Sequence, residues 1–431
     1  MKPNQAIRSK KNLLNHFGSS RKLEILYLKQ IEDLLTMNIP PEVWEDALNR
    51  NLLSFSQEFV QQTKKIMFHN QNIECIHLLS FLANLTELNL QNNKIYEISS
   101  ISKLKNLKKL DLESNCIENV SALQSLTDLT QLYLGYNKIE DISVLQSLLN
   151  LTYLNVSQNK LTSYTAALPS LVQLELYSNQ LQDKSGLQRS PKLQKLNLSQ
   201  TEITDLRSIP HQLFGLKDLN LYTNNIKEIS YLSNFVDLQS LNLSYNEELQ
   251  NIAPLKFCTQ LTSLSISETS VADIWPIQFM KNLQTLFMAY NQVVDLHPLQ
   301  YLYHLKSISA DYTGIIDVSP LQHLTELIFL SFKNNTVTNV DTLKHHNYFS
   351  EYDFPYQEVP TTDKLRFYNK ILSVHSSQKQ IRKIQVENRA SKFRETMTHQ
   401  KECINLEINE QIQVMNKRIE IIFSHNSYAD Q

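Results

Sequence analysis

Histidine and cysteine are the residues of this chain best suited to holding a metal ion. His345 and His346 are adjacent, while His297, His304 and His323 recur within one region. No cysteine or carboxylate joins them at the spacing of a zinc site. The four cysteines lie far apart, without a Cys-x-x-Cys pair: Cys75, Cys116, Cys258 and Cys403. We therefore expect no metal site, and this cysteine usage is typical of a reducing compartment.

The sequence also has no arrangement typical of an active site. Its 5 glycines are scattered, which argues against a glycine-rich phosphate loop and a nucleotide enzyme. Serine and aspartate recur too regularly for a Ser/His/Asp arrangement to stand out. We expect no catalytic residue, no cofactor and no enzymatic activity.

Aromatic and acidic residues recur at regular intervals, and the chemistry they offer is recognition of another protein. Tyrosine combines a large contact area with a polar hydroxyl, and aromatic residues are enriched at interface hot spots. The candidate partner-binding residues are Asp111, Glu113, Tyr133, Tyr136, Tyr153, Glu175, Tyr177, Asp218, Tyr222, Tyr245, Phe287 and Tyr290. The alternative is that tyrosine merely suits an exposed sheet.

A repeat of about 22 residues positions these side chains. The segments "LTELNLQNNKIYEISSISKL" (85–104), "LKKLDLESNCIENVSALQSL" (107–126) and "LTQLYLGYNKIEDISVLQSL" (129–148) match position for position. Self-similarity at this period predicts a solenoid, in which each unit stacks on its neighbours. The unit starts are Thr63, Leu85, Leu107, Leu129, Leu151, Leu171, Leu193, Leu216, Leu238, Leu261, Leu283, Leu305 and Leu327.

The first half of each unit predicts a short strand, because its leucines alternate with outward-facing residues. Stacking such strands makes a parallel sheet. An asparagine at the ninth position can bond backbone groups of its own and the neighbouring unit, which predicts a structural asparagine ladder. Its members are Asn93, Asn115, Asn137, Asn159, Asn179, Asn224, Asn246, Asn291 and Asn335. Threonine takes the same position at Thr201, Thr269 and Thr313.

The second half of each unit returns the chain along the opposite side. Four prolines recur at one position of these returns, at Pro254, Pro276, Pro298 and Pro320. Proline fixes φ and removes a donor, which suits a short turn or the start of a 3₁₀ helix. The predicted fold is therefore an α/β solenoid with a parallel sheet on its concave side and short turns on its convex side.

The pattern LxxLxLxxNxIxxIxxLxxL resembles the leucine-rich-repeat superfamily, in particular the 22-residue subclass. That subclass includes the regulatory subunit of type-1 protein phosphatase and the bacterial internalins. Resemblance to the first family implies that the concave face, with its acidic and aromatic residues, holds the phosphatase. The "D-I/V-S-x-L" variant in this chain occurs in both families, so the repeat type does not choose between them.

We divide the chain into five segments. These are 1–22, a basic, disordered N-terminus; 23–62, a helical N-terminal cap; 63–349, about thirteen repeats; 350–361, a C-terminal cap or linker; and 362–431, a helical, partly basic extension. The extension carries a short heptad-like seam at Ile408, Ile412, Met415, Ile419 and Ile422. The seam predicts a helix partner or self-association through residues 404–422.

Charge and hydropathy limit the other partners and the location. The net charge of −2 gives no reason to expect nucleic acid. No apolar run approaches the roughly 18 residues that a membrane span needs. The N-terminus lacks the apolar core of a signal peptide. We expect a cytoplasmic protein, with the nucleus as an alternative.

The leading hypothesis from sequence is a non-enzymatic scaffold that holds a globular protein, a phosphatase catalytic subunit, on its concave face. One alternative is a structural component of a cytoskeletal or flagellar assembly that works through its C-terminal helix. A second alternative is an internalin-like surface adhesion protein.

Overall fold

The computed structural model describes residue 31, residues 57–343 and residues 352–353. Its main feature is one parallel sheet of fourteen strands, in which every strand pairs with the next one along the chain. An α-helix, α1 (Gln57–Gln62), precedes the sheet. The predicted N-terminal cap is described only at Ile31, which is helical and buried, and at α1. Its other residues lie outside the described part of the chain. The N-terminus 1–22 and the extension 362–431 lie outside it as well.

The strands are short and evenly spaced. They are β1 (Lys65–Met67), β2 (Glu87–Asn89), β3 (Lys109–Asp111), β4 (Gln131–Tyr133), β5 (Tyr153–Asn155), β6 (Gln173–Glu175), β7 (Lys195–Asn197), β8 (Asp218–Asn220), β9 (Ser240–Asn242), β10 (Ser263–Ser265), β11 (Thr285–Phe287), β12 (Ser307–Ser309), β13 (Phe329–Ser331) and β14 (Tyr352–Asp353). The thirteen predicted repeats supply β1 to β13 in order, and we number the repeats accordingly. Strand β14 lies in the segment assigned to the C-terminal cap and pairs with β13.

The chain returns through short 3₁₀ turns, as the prolines predicted. The turns are His77–Phe81, Ser99–Lys103, Ser121–Ser125, Ser143–Ser147, Ser185–Arg189, Leu206–Ser208, Ser230–Asn234, Ala253–Phe257, Trp275–Phe279, His297–Leu299, Ser319–Leu321 and Val340–Leu343. All four recurring prolines lie at the first positions of a turn, where the missing N–H would have no partner within the turn.

An acidic or amide side chain just before many of these turns caps them. The carboxylate of Asp141 accepts the backbone N–H of Ser143 at 2.7 Å, and that of Asp317 accepts the N–H of Ser319 at 2.7 Å. This bond satisfies a donor that a turn of this length leaves free. The aspartate of the "D-I/V-S-x-L" variant is therefore explained by local backbone chemistry.

The core lies between the sheet and the turns. The central residue of each strand points inward, so that Leu110, Leu132 and Leu154 are fully buried, while its strand neighbours point outward. From the turns, residues such as Leu123 and Leu145 close the core from the other side. At roughly 1.5–3 kcal/mol per buried leucine, this stack of side chains is the main stabilising contribution to the fold.

The residue at the eighth position of every repeat adopts a left-handed backbone conformation. Its φ lies between 52° and 60° at Asn70, Asn92, Ser114, Tyr136, Gln158, Ser178, Gln200, Thr223, Tyr245, Glu268, Tyr290, Tyr312 and Asn334. This conformation continues the hydrogen-bond ladder past the strand, because the N–H of Tyr136 donates to the carbonyl of Ser157 at 2.9 Å. It then turns the chain so that the ninth residue points inward. None of these residues is glycine, so each carries a steric penalty.

Repeat 5, residues 151–170, departs from the pattern. No 3₁₀ turn separates β5 from β6. Instead Tyr164 fills the interior, fully buried, and its hydroxyl lies 3.4 Å from that of Ser190. Gly186 makes room, since a Cβ there would lie 2.7 Å from the carbonyl oxygen of Tyr164. Lys184 is buried in the next repeat and donates to the carbonyl of Leu181 at 2.6 Å.

Candidate protein-binding face

The asparagine at the ninth position joins each repeat to the one before it. The side-chain amide of Asn137 donates to the carbonyls of Leu112 and Leu134, each at 3.0 Å. Its oxygen accepts the backbone N–H of Ile117 at 3.0 Å. Equivalent bonds are made by Asn93, Asn115, Asn159, Asn179, Asn224, Asn246, Asn291 and Asn335. These bonds fix the strand exits from which the outward side chains project.

Threonine at the same position makes fewer hydrogen bonds to the preceding repeat than asparagine does. The hydroxyl of Thr201 donates to the carbonyl of Leu198 at 2.6 Å, within its own repeat. No described residue accepts the N–H of Leu181 in the preceding repeat, which an asparagine would have bonded. The N–H of Val293, in the repeat before Thr313, also has no acceptor among the described residues. Both are buried, so these repeats are less well satisfied than their neighbours.

A second set of asparagines at the fifth position was not found by sequence analysis. The side-chain oxygen of each accepts the N–H two residues later, forming an Asx turn at the strand exit. These residues are Asn89, Asn155, Asn197, Asn220 and Asn242, together with Asp111. The signal in the sequence was the recurrence of Asn or Asp at this position.

This second set corrects the assignment of Asp111 as a partner contact. Asp111 is 9% exposed, one of its carboxylate oxygens accepts the N–H of Glu113 at 3.1 Å, and the other accepts the amide of Asn89 at 3.1 Å. Its side chain therefore stabilises the strand exit and offers little exposed surface for direct contact with a partner.

Six of the predicted residues come together over repeats 3 to 6. We call this set the tyrosine–carboxylate cluster: Glu113, Tyr133, Tyr136, Tyr153, Glu175 and Tyr177. The rings of Tyr133 and Tyr153 lie 4.6 Å apart between centroids. Tyr177 and Tyr136 meet edge to face at 6.4 Å, and their hydroxyls are 3.1 Å apart. The cluster consists of two aromatic pairs with carboxylates beside them.

The cluster is electrostatically negative. Glu113 accepts the side-chain amide of Asn155 at 3.3 Å, and Glu175 accepts that of Gln173 at 2.9 Å. Within the described residues, no cationic group forms a salt bridge with either carboxylate. The pKa of Glu113 is raised by burial and by the neighbouring charge of Asp111. A surface with more carboxylates than cations favours a cationic partner surface.

The cluster already binds one cation of its own chain. The ammonium of Lys109 lies 5.3 Å from the ring centroid of Tyr133, within the range of a cation–π interaction. Burial raises the pKa of Tyr133, and the charges of Asp111 and Glu113 raise it further. The hydroxyl therefore stays protonated and neutral at physiological pH, and can donate a hydrogen bond to a partner.

The remaining predicted residues form two separate groups. Tyr222 and Tyr245 meet at 5.0 Å on repeats 8 and 9, where Asp218 also faces outward. On repeats 11 and 12, Tyr290 stacks on Tyr312 at 4.4 Å. Phe287 is 38% exposed nearby on β11. Strand β7, which carries Lys195 and Asn197, separates these groups from the tyrosine–carboxylate cluster, so the twelve candidates are not one site.

Two of the histidines on the turn side pair with carboxylates. His297 lies 2.6 Å from Asp295, and His304 lies 3.2 Å from Glu326. Within the described residues there is no group of three or more side chains that could hold a metal ion.

Burial raises the pKa of the Cys258 thiol to about 11, so that this cysteine is protonated. No helix in the described part of the chain is long and apolar enough to span a membrane.

Residues 83–125, 105–147 and 127–170 match a family model of leucine-rich repeats in two copies. The matched stretch is similar to leucine-rich repeats. Its leucines at the first, fourth and sixth positions of each unit build the core, and its asparagines at the ninth position belong to the asparagine ladder. No curated protein sequence is similar enough to the chain to count as a relative.

Solved structures of leucine-rich-repeat proteins share the fold. An internalin (inlF) from Listeria monocytogenes is 27% identical, with a TM-score of 0.66, over 74% of this chain and 95% of the internalin. A leucine-rich-repeat protein of Leptospira interrogans is 23% identical, with a TM-score of 0.65, over 74% of this chain and 85% of that one. The functional domain of InlJ from Listeria monocytogenes is 23% identical, with a TM-score of 0.56, over 66% and 67% of the two chains. None of these three is a phosphatase regulatory subunit.

Proposed function

We propose that this protein is a non-enzymatic scaffold that holds a globular protein partner on the outward side of its sheet. The observation that carries the proposal is the tyrosine–carboxylate cluster, which the core does not need. Leucine-rich-repeat proteins generally bind other proteins, and rigid aromatic side chains with polar tips are typical of interface hot spots. The partner presents a cationic surface, because in the described part of the chain the carboxylates of the cluster bond to amides and form no salt bridge.

Affinity capture with three forms of the full chain tests this proposal. The first is the unaltered chain, the second carries Tyr133→Ala, Tyr153→Ala and Tyr177→Ala, and the third is a control with Tyr96→Ala and Phe214→Ala. Tyr96 and Phe214 are 59% and 70% exposed and lie outside the cluster. We expect the cluster variant to lose the partner by about 100-fold in affinity, and the control to retain it. Equal capture by all three folded forms would show that the partner binds elsewhere.

The partner we propose is the catalytic subunit of a type-1 protein phosphatase in the cytoplasm. The resemblance of the repeats to the phosphatase regulatory subunit supports this choice, as do the acidic and aromatic residues on the sheet. Titrating the purified phosphatase with the chain, and measuring both affinity and dephosphorylation rate, tests it. If the phosphatase does not bind but another captured protein depends on the cluster, the scaffold stands and this partner identity fails.

Surface adhesion is a second candidate function, which the similarity to the Listeria internalin favours. In that case the cluster binds a protein outside the cell. Protease treatment of intact cells distinguishes the two, since a surface protein is degraded while a cytoplasmic one is protected. Assembly through residues 404–422 stays a proposal as well, and light scattering on the full chain and on a chain ending at residue 400 tests it.

A further inference from the structure

A second group of aromatic side chains is exposed on the side of the 3₁₀ turns. We call it the return-side aromatic patch: Phe257, Trp275, Phe279, Tyr301 and Tyr303. Their exposed fractions are 51%, 47%, 39%, 58% and 53%. Single exposed apolar residues are common on protein surfaces, whereas a contiguous group marks an interaction site.

The patch extends over repeats 9 to 11. Phe257 and Phe279 each end a 3₁₀ turn, and these adjacent turns pack against each other. Trp275 meets Phe279 edge to face at 5.0 Å. The ammonium of Lys281 lies 5.9 Å from the ring centroid of Tyr301, which joins repeat 10 to repeat 11.

The fold does not require aromatic residues here. The core beneath the patch is filled by Leu255 and Ile277, which are fully buried. In repeats 2 to 4 the residues that end the corresponding turns are Lys103, Ser125 and Ser147. These repeats form the same turn with a polar side chain, so the turn itself does not need the exposed rings of Phe257 and Phe279.

Lysines lie beside the patch, while the carboxylates at its edge already have partners. Asp295 accepts the backbone N–H of His297 at 2.9 Å, and Glu326 lies 3.2 Å from His304. Lys256 lies 5.0 Å from the ring centroid of Phe257. Neither Lys256 nor Lys281 forms a salt bridge with a described residue. The carboxylate of Asp273 accepts the backbone N–H of Trp275 at 2.8 Å.

We propose that the return-side aromatic patch docks an acidic, amphipathic segment of a second protein, separate from the partner on the sheet. Apolar side chains of that segment pack between the exposed rings, and its carboxylates pair with Lys256 and Lys281. A carboxylate gains from a lysine already held in place, because less side-chain freedom is lost. The scaffold then holds two partners of opposite charge on opposite sides.

Aromatic rings near lysines also occur where proteins bind single-stranded nucleic acid. Such sites combine stacking rings with a positively charged groove that follows the phosphate backbone. Two lysines beside the rings are too few to follow such a backbone. The patch therefore fits an acidic protein segment better than a nucleic acid.

Trp275 makes the proposal directly measurable, since the chain has only 2 tryptophans. The probes are two peptides of about 16 residues with leucine and phenylalanine on one helical face. One carries glutamate on the other face, and its control carries lysine. We expect the glutamate peptide to change the tryptophan fluorescence of the full chain in a saturable, salt-sensitive manner, and to bind about tenfold more tightly than the lysine peptide. The change should disappear in Trp275→Phe.

Charge reversal supplies the matched test. Lys256→Glu with Lys281→Glu should weaken the glutamate peptide about tenfold. The same change of charge at Lys103 and Lys105, on the turn side of repeat 2, should alter its affinity by less than about twofold. Equal binding of both peptides, an equal effect of both variants, or preferred binding of oligothymidylate would overturn the proposal. The triple tyrosine variant of the sheet should still bind the peptide, so the two proposals fail independently.

Discussion

Thr201→Asn is expected to stabilise the protein, although it alters a residue that is already buried and hydrogen-bonded. The reason lies in the preceding repeat, where the N–H of Leu181 is buried without an acceptor among the described residues. One repeat earlier, Asn179 accepts the equivalent N–H of Leu161 at 3.0 Å. Repeats 6 and 7 are related by the normal interval, so an asparagine at position 201 can make the same bond.

The magnitude follows from the groups that change partners. A buried N–H without an acceptor destabilises the fold by about 1–3 kcal/mol, and the new side-chain amide can also donate to the carbonyl of Leu176. The bond that Thr201 now makes to Leu198 is replaced by an equivalent one from the amide. We therefore expect the free energy of unfolding to rise by about 1–3 kcal/mol.

Urea unfolding and amide hydrogen exchange measure this effect. Thr269→Asn is the matched control, because the preceding repeat has Leu249 there, whose N–H already donates to the carbonyl of Asn246 at 3.0 Å. Only Thr201→Asn should raise the unfolding free energy and slow exchange at Leu181. If both variants have the same stability as the unaltered chain, an unpaired N–H does not weaken this repeat and the reasoning fails.

Two further substitutions test the strand exits. Thr223→Gly should raise the free energy of unfolding in urea by about 0.5–1 kcal/mol, because a β-branched residue at a φ of 52° is strained. The control, Thr285→Gly within β11, should instead lower it. Asp111→Asn removes the buried charge and keeps the bond to the N–H of Glu113, but it loses the bond from the amide of Asn89, so its stability relative to the unaltered chain should be greatest near pH 7. Burial raises the folded-state pKa of Asp111, so its ionisation opposes folding above that pKa. This relative stability should therefore decrease as the pH falls toward about 4, and a relative stability independent of pH would contradict the role of charge.

Much of the fold is predictable from the sequence because the same residue pattern recurs in each repeat. The interval of 22 residues, the leucine positions and the turn prolines predict the strands and 3₁₀ turns, since each unit can bury its apolar residues only against its neighbours. Repeat 5 is the exception. Its length of 20 residues indicates an irregular unit, but only the packing shows that Tyr164 replaces a turn and that Gly186 accommodates it.

The candidate site is less predictable, because a repeat pattern assigns side chains to a face but not to one another. The sequence by itself determined which residues point away from the core, through the strand alternation. Only the tertiary structure decided that Asp111 is buried at a strand exit, and that the tyrosines divide into three groups. It also revealed the return-side aromatic patch, because that patch depends on residues one repeat apart in the chain becoming neighbours in space when the repeats stack.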